Sequence, residues 1–123
     1  SFDKSLIDAI AGAAMARMPE FGQQQLANLA WAFATLGYAN PKILDALAAE
    51  VMNKIHEVRP QGLANIAWAY SKLGMRNKEL MEAIAEASIR KIHDFDPQNL
   101  SNIAWAFAKL GMAHEPLLQA IAA

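Results

Sequence analysis

The block LANLAWAFATLG ending at Gly37 returns as LANIAWAYSKLG ending at Gly74 and as LSNIAWAFAKLG ending at Gly111, so the chain repeats itself every 37 residues without a gap. Trp31, Trp68 and Trp105 share one phase, as do Leu26, Leu63 and Leu100, and Asn28, Asn65 and Asn102. A fixed period in this range signals units that cannot bury their apolar faces alone and must stack on one another. The chain is therefore expected to be all-α, an α-α superhelical solenoid of 37-residue helix-turn-helix repeats. The units are 1–37, 38–74 and 75–111, followed by a half repeat at 112–123. Because Ser1 stands directly before a helix start and Ala123 follows half a unit, the chain reads as a piece of a longer array.

Each unit divides into two helices. Over 4–18 the apolar positions Leu6, Ile7, Ile10, Ala14 and Met18 have the spacing of one buried helical stripe, answered by Ile43, Leu44, Leu47, Val51 and Ile55 and then by Leu80, Met81, Ile84, Ser88 and Ile92. Asp3, Asn40 and Asn77 precede these runs as N-caps. The second helix carries Leu26, Leu29, Ala30, Phe33 and Leu36 on one face. It starts most clearly in the third copy, where Asp96 caps and Pro97 enters the first turn. Gly37, Gly74 and Gly111 stop it, each free to take the left-handed conformation that closes a helix. The segment from Pro116 to Ala123 starts a fourth unit.

Composition narrows the class. There is no cysteine, hence no disulfide framework, thiolate nucleophile or cysteine-based zinc site. Charge interrupts every apolar stretch well before the ~18 residues of a membrane span. No GxGxxG, GxxxxGK[ST] or HExxH motif occurs. His56 and His93 sit one unit apart, and a shared metal would need Glu57 or Asp94 as well, so neither a metal nor a cofactor is expected. The chain reads as a binding module, not an enzyme.

The motif PQGLANIAWAYSKLG at 60–74, with its copies PQNLSNIAWAFAKLG at 97–111 and GQQQLANLAWAFATLG at 22–37, resembles the octotricopeptide repeat of organellar RNA-processing proteins. It is more similar still to the heptatricopeptide repeat, whose unit has this same length. Gln23 and Arg59 depart from the third copy, which has Pro97 and Asp96 in those phases. Proteins with such repeats often end in a RAP domain and act on mitochondrial or plastid transcripts and ribosomal RNA. The resemblance implies single-stranded RNA or ribosomal RNA as partner, a mitochondrial or plastid location, and a second helix lining the concave side. The RAP domain is absent from the chain, so no nuclease-like activity is implied.

On a wheel of about 100° per residue, Gln24, Asn28, Ala32 and Thr35 fall in one narrow polar sector of the second helix. The matching sets are Gln61, Asn65, Ala69 and Lys72, and Gln98, Asn102, Ala106 and Lys109. Amides can donate to and accept from base edges and lysines can meet phosphates, so the stacked sectors form a candidate RNA-reading stripe. At its edge the varied set Gln25, Gly62 and Asn99 is the candidate for sequence choice. The Asn set has a second reading, a ladder bonded to the neighbouring unit's backbone. For the three tryptophans inter-repeat packing is expected, and Phe33, Tyr70 and Phe107 are expected in the core.

Arg17, Lys54 and Lys91 form a basic column near the end of the first helix, joined by His56, His93, Arg59 and Arg90. It suits either a phosphate backbone or the negative end of the helix dipole, as Asp8, Asp45 and Glu82 suit the positive half. The net charge of −1 argues against strong non-specific RNA binding. A protein-binding scaffold is the competing reading. Its partner, or a neighbouring repeat, would cover the open end around Leu117, Leu118 and Ile121.

Overall fold

Short polar side chains start four of the helices. In the computed structural model, which describes residues 3–123, Asp3 accepts from the amides of Ser5 and Leu6, Asn40 from Ile43, Asn77 from Leu80 and Asp96 from Asn99. Each bond satisfies a first-turn donor that has no partner within its own helix. Seven α-helices result: α1 (Lys4–Ala16), α2 (Gln23–Leu36), α3 (Pro41–Asn53), α4 (Pro60–Lys72), α5 (Lys78–Arg90), α6 (Pro97–Lys109) and α7 (Glu115–Ala122). Among the described residues there is no strand, so the fold is all-α. Among the described residues no helix is long and apolar enough to cross a membrane.

Glycine ends the even-numbered helices. Gly37, Gly74 and Gly111 have φ of 70°, 69° and 66°, and the next amide reaches back to Phe33, Tyr70 or Phe107 at 2.8–2.9 Å. This double closure uses carbonyls that would otherwise be orphaned. The odd-numbered helices end differently, in short 3-10 turns at Met18–Glu20, Ile55–Glu57 and Ile92–Asp94. The first helix of the chain thus stops at Ala16, short of the predicted Met18.

Helix α4 is central, with α2 on one side and α6 on the other, while α3 and α5 pack as a second row continued by α1 and α7. Leu26, Leu63, Leu47, Ile66, Ile84 and Ile103 are fully buried between the rows. Each contributes roughly 1.5–3 kcal/mol of apolar burial. Alanines Ala30, Ala64, Ala67 and Ala106, also buried, let the backbones approach. Tyr70 lies in the core and its Oη donates to the Leu44 carbonyl, tying α4 to α3. In α1 the stripe is displaced from expectation. Ile7, Ala11, Ala14 and Met18 are buried, whereas Leu6 and Ile10 are 59% and 46% exposed, because α1 is covered by α3 on one flank only.

A lysine clasp joins consecutive units. Lys54 Nζ donates to the carbonyls of Pro19 and Phe21, and Lys91 Nζ to those of His56 and Val58 at 3.0 and 2.7 Å. Each thereby holds the 3-10 connection of the unit before it, and Lys54 is also paired with Glu50 at 3.2 Å. The basic column is corrected accordingly. The ammonium groups of Lys54 and Lys91 are occupied by protein carbonyls, while Arg17, lacking a preceding connection among the described residues, pairs with Glu20 at 2.9 Å.

Candidate nucleic-acid interface

Helices α2, α4 and α6 lie side by side and each turns one polar face outward. Residues spaced i, i+4, i+7 and i+11 share a helical face, which selects Gln24, Asn28, Trp31 and Thr35 on α2, Gln61, Asn65, Trp68 and Lys72 on α4, and Gln98, Asn102, Trp105 and Lys109 on α6. The third position belongs to tryptophan, not to the alanine read from the wheel. Ala69 and Ala106 are buried, while Trp31 and Trp105 are 50% and 46% exposed. Trp68, flanked by helices on both sides, is half-buried and packs its inner edge on the core. Trp68 alone of the three packs against the core, while Trp31 and Trp105 stand largely exposed.

Lysines cover two of these rings. Lys72 Nζ stands 5.7 Å from the centre of Trp68 and Lys109 Nζ 5.8 Å from Trp105, within cation–π range. In α2 the lysine position is Thr35, and Trp31 is left uncovered there. The amides upstream are exposed or half-exposed. Gln98 Nε2 donates to Asn102 Oδ1 at 3.0 Å along α6. Among the described residues no side chain of Asn28, Asn65 or Asn102 bonds the backbone of a neighbouring unit. The register ladder read for these asparagines does not form, and the lysine clasp performs that task.

Between α2 and α4 the face opens into a cleft of about 180 Å³. Gln23, Gln24 and Asn28 line it from α2, and Arg59, Gln61 and Asn65 from the start of α4. Ala27 and Gly62 complete it. Gly62 is buried, and a Cβ there would stand 3.0 Å from Val58 Cγ1 and 3.5 Å from Gln23 Oε1. Only a hydrogen at this position leaves the space free. Gln23 Oε1 accepts from the Arg59 amide at 3.4 Å, bracing the rim. Five amide side chains and one guanidinium, with no carboxylate among the lining residues, offer both donors and acceptors beside a single positive charge.

The varied set splits apart. Gln25 Oε1 accepts from the Gly22 amide at 2.9 Å and so caps α2, Gly62 is buried at the α2–α4 contact, and Asn99 is half-buried on α6. These three do not form one reading row. Gln24, Asn28, Gln61 and Asn65 are brought together in the cleft, Gln98, Asn102 and Lys109 continue the face on α6, and Thr35 and Lys72 lie toward the helix ends. Arg59 and the tryptophans were missed as members of the face. The i, i+7 relation of Gln61 to Trp68 was available in the sequence and would have found the rings. Among the described residues no histidine, aspartate or glutamate cluster able to hold a metal occurs.

The model of the family described as RNA-editing substrate-binding complex 6 protein matches residues 2–123. A search of the curated proteins finds no match. The chain belongs to the RNA-editing substrate-binding complex 6 protein family, and the match carries the heptatricopeptide likeness no further than an RNA-associated helical protein.

Proposed function

We propose that this member of the RNA-editing substrate-binding complex 6 family is a single-stranded RNA-binding module, a solenoid of 37-residue units that takes RNA along the outer face of α2, α4 and α6 and has no catalytic role. The observation that carries the reading is the recurrence of an exposed Gln–Asn–Trp face with a lysine over the ring in two of three units. Indole rings stack on any base, amides meet base edges, and the lysines Lys72 and Lys109 meet phosphates. A single strand suits this surface because its bases can turn outward onto the rings, whereas a duplex hides them. The near-neutral charge fits few phosphate contacts and recognition through bases.

The family's description names a complex as well as a substrate, which favours protein partners beside RNA. The exposed Leu6 and Ile10 on α1 and Leu118 on α7 are apolar surface on the opposite row from the RNA face, where such partners would sit. RNA editing points to a mitochondrial setting over a plastid one and gives no support to ribosomal RNA as the ligand. Binding of labelled single-stranded RNA, competed by unlabelled single strand and not by duplex, tests the assignment. Equal competition by duplex would overturn it.

A further inference from the structure

The two ends of the array are complementary. Leu6, Ile43, Leu80 and Leu117 share one phase of the first helix, and Ile7, Leu44, Met81 and Leu118 share the next. In α3 and α5 both positions are buried, whereas Leu6 is 59% exposed on α1 and Leu118 40% exposed on α7. The first row thus faces the preceding unit and the second row the following one. Ile10 repeats the contrast on α1, exposed where Leu47 and Ile84 are fully buried. On α6 Ala108 is exposed, while its equivalents Ala34 and Ser71 are buried in α2 and α4, each of which has a further helix packed against it.

The clasp between units is divided in the same way. Arg17 holds the phase of Lys54 and Lys91 and is paired only with Glu20 across an exposed surface. At the other end, the carbonyls of His93 and Phe95 stand in the phase of those of His56 and Val58 and receive no lysine or arginine donor among the described residues. One end carries a donor without its carbonyls and the other carbonyls without their donor.

Helix α7 fills the seat of a fourth first helix only lightly. It has 8 residues and buries Leu117 alone, where α3 buries Ile43, Leu44, Leu47, Ala48 and Val51. Its start depends on His114, whose Nδ1 accepts from the Leu117 amide at 3.1 Å and whose Nε2 stands 3.1 Å from Glu82.

We infer that copies of this chain associate head to tail, the first unit of one docking on the last unit of another. Helix α1 takes the seat of α7, α2 packs beside α6 as α4 packs beside α2, and Arg17 leaves Glu20 to donate to the His93 and Phe95 carbonyls. A second copy is the fitting occupant because the chain already makes this packing at both of its internal junctions. Arrays that stay apart carry polar outer faces on their terminal units, and Leu6, Ile10 and Leu118 leave both ends of this one apolar. A head-to-tail contact does not close on itself, so copies add one after another. The contact forms without RNA and is independent of the RNA-binding assignment.

The test follows the mass of the full chain by light scattering from about 5 to 500 µM without RNA, with each fold verified by circular dichroism. Wild type is expected to start at the monomer mass of 13.4 kDa and to climb with concentration. The double variant Leu6→Asp, Ile10→Asp spoils one end and Ala108→Glu the other. Both replace exposed side chains, and each is expected to stay monomeric alone. Their equimolar mixture joins one intact end of each and is expected to pair and stop at twice the monomer mass. His114→Ala removes the cap of α7 and is expected to move association to a concentration lower by about twofold or more. A wild type that stays monomeric throughout overturns the contact. Ala108→Glu associating as wild type does, the mark of a two-fold pairing through α1, also overturns it, as does a mixture that fails to pair. Association unchanged in His114→Ala overturns the exchange of α7 for α1.

Discussion

The ammonium group of Lys72 lies 5.7 Å from the ring centre of Trp68, one helical turn away on the surface of α4, and Lys109 repeats this over Trp105 at 5.8 Å. An i, i+4 lysine after an indole joins a flat aromatic ring to a positive charge on one rigid element. Trp105→Ala is expected to weaken single-stranded RNA binding about fivefold or more, the loss of one base stack. Anisotropy titrations with the fold verified by circular dichroism check this, and unchanged affinity would remove the ring from the interface.

The salt dependence follows from the number of cations on the face. With Lys72, Lys109 and Arg59 available, two or three phosphate contacts give a slope of log K against log salt of about −1.4 to −2.1 for a single strand. Lys109→Ala is expected to make the slope shallower by about 0.7. Titrations at several salt concentrations measure both.

Lys91 holds the preceding 3-10 connection, so its removal is expected to cost stability and not RNA affinity. Lys91→Met keeps the aliphatic stem and leaves the His56 and Val58 carbonyls without their donor, so urea unfolding should show a loss of about 1–3 kcal/mol. Arg17→Met breaks only an exposed, solvent-screened pair with Glu20 and should leave the urea midpoint close to that of wild type. RNA affinity of folded Lys91→Met should match wild type; a marked loss would return this lysine to a phosphate track.

Two glycines should respond with opposite sign. Gly12 is in mid-helix in α1 with open space around a would-be Cβ, so Gly12→Ala should stabilise by about 0.5–1 kcal/mol. Gly74 has φ of 69°, where an alanine is strained, and Gly74→Ala should destabilise by about 1–2 kcal/mol. Thermal unfolding of the two variants checks both signs.

Tyr38, Tyr70 and Asp8 each make stability depend on pH. Burial, first, and the charge of Asp45 push the Tyr70 phenol far above its ordinary range, and the hydrogen bond to Asp8 pushes Tyr38 upward. Both folded pKa values lie above the unfolded one, so their contribution is complete below about pH 10 and is lost as pH rises past it. Asp8 is shifted the other way, held down by the Tyr38 hydroxyl at 2.6 Å and by Lys4. Its contribution is present above the unfolded carboxylate value and lost as pH falls through the lower folded one. Phenol absorbance through an alkaline titration should rise together with unfolding; full ionisation of both tyrosines in a folded chain would contradict this.

The caps at Asn40, Asn77 and Asp96 and the stops at Gly37, Gly74 and Gly111 were legible because each is a local event with its own residue signature. The exposed edge of Trp31 and Trp105 was not. An aromatic residue at the border of an apolar face reads as core, and which edge stays wet depends on how far apart the flanking helices stand. Lys54 and Lys91 eluded the reading for a different reason. A long flexible stem at a helix end can answer the dipole, a phosphate or a carbonyl, and the carbonyls it meets lie 33 to 35 residues back in the chain. Gly62 looked like one member of a variable row, and only the approach of Val58 and Gln23 shows that it shapes the cleft.

The most direct measurement is the anisotropy of a labelled single-stranded RNA titrated with this chain at low and moderate salt, with a duplex of the same sequence beside it. Saturable binding of the single strand that weakens with salt, and markedly weaker binding of the duplex, is the predicted result. A chain that is folded by circular dichroism and leaves the single strand free, or takes the duplex equally well, would contradict an RNA-reading face on α2, α4 and α6.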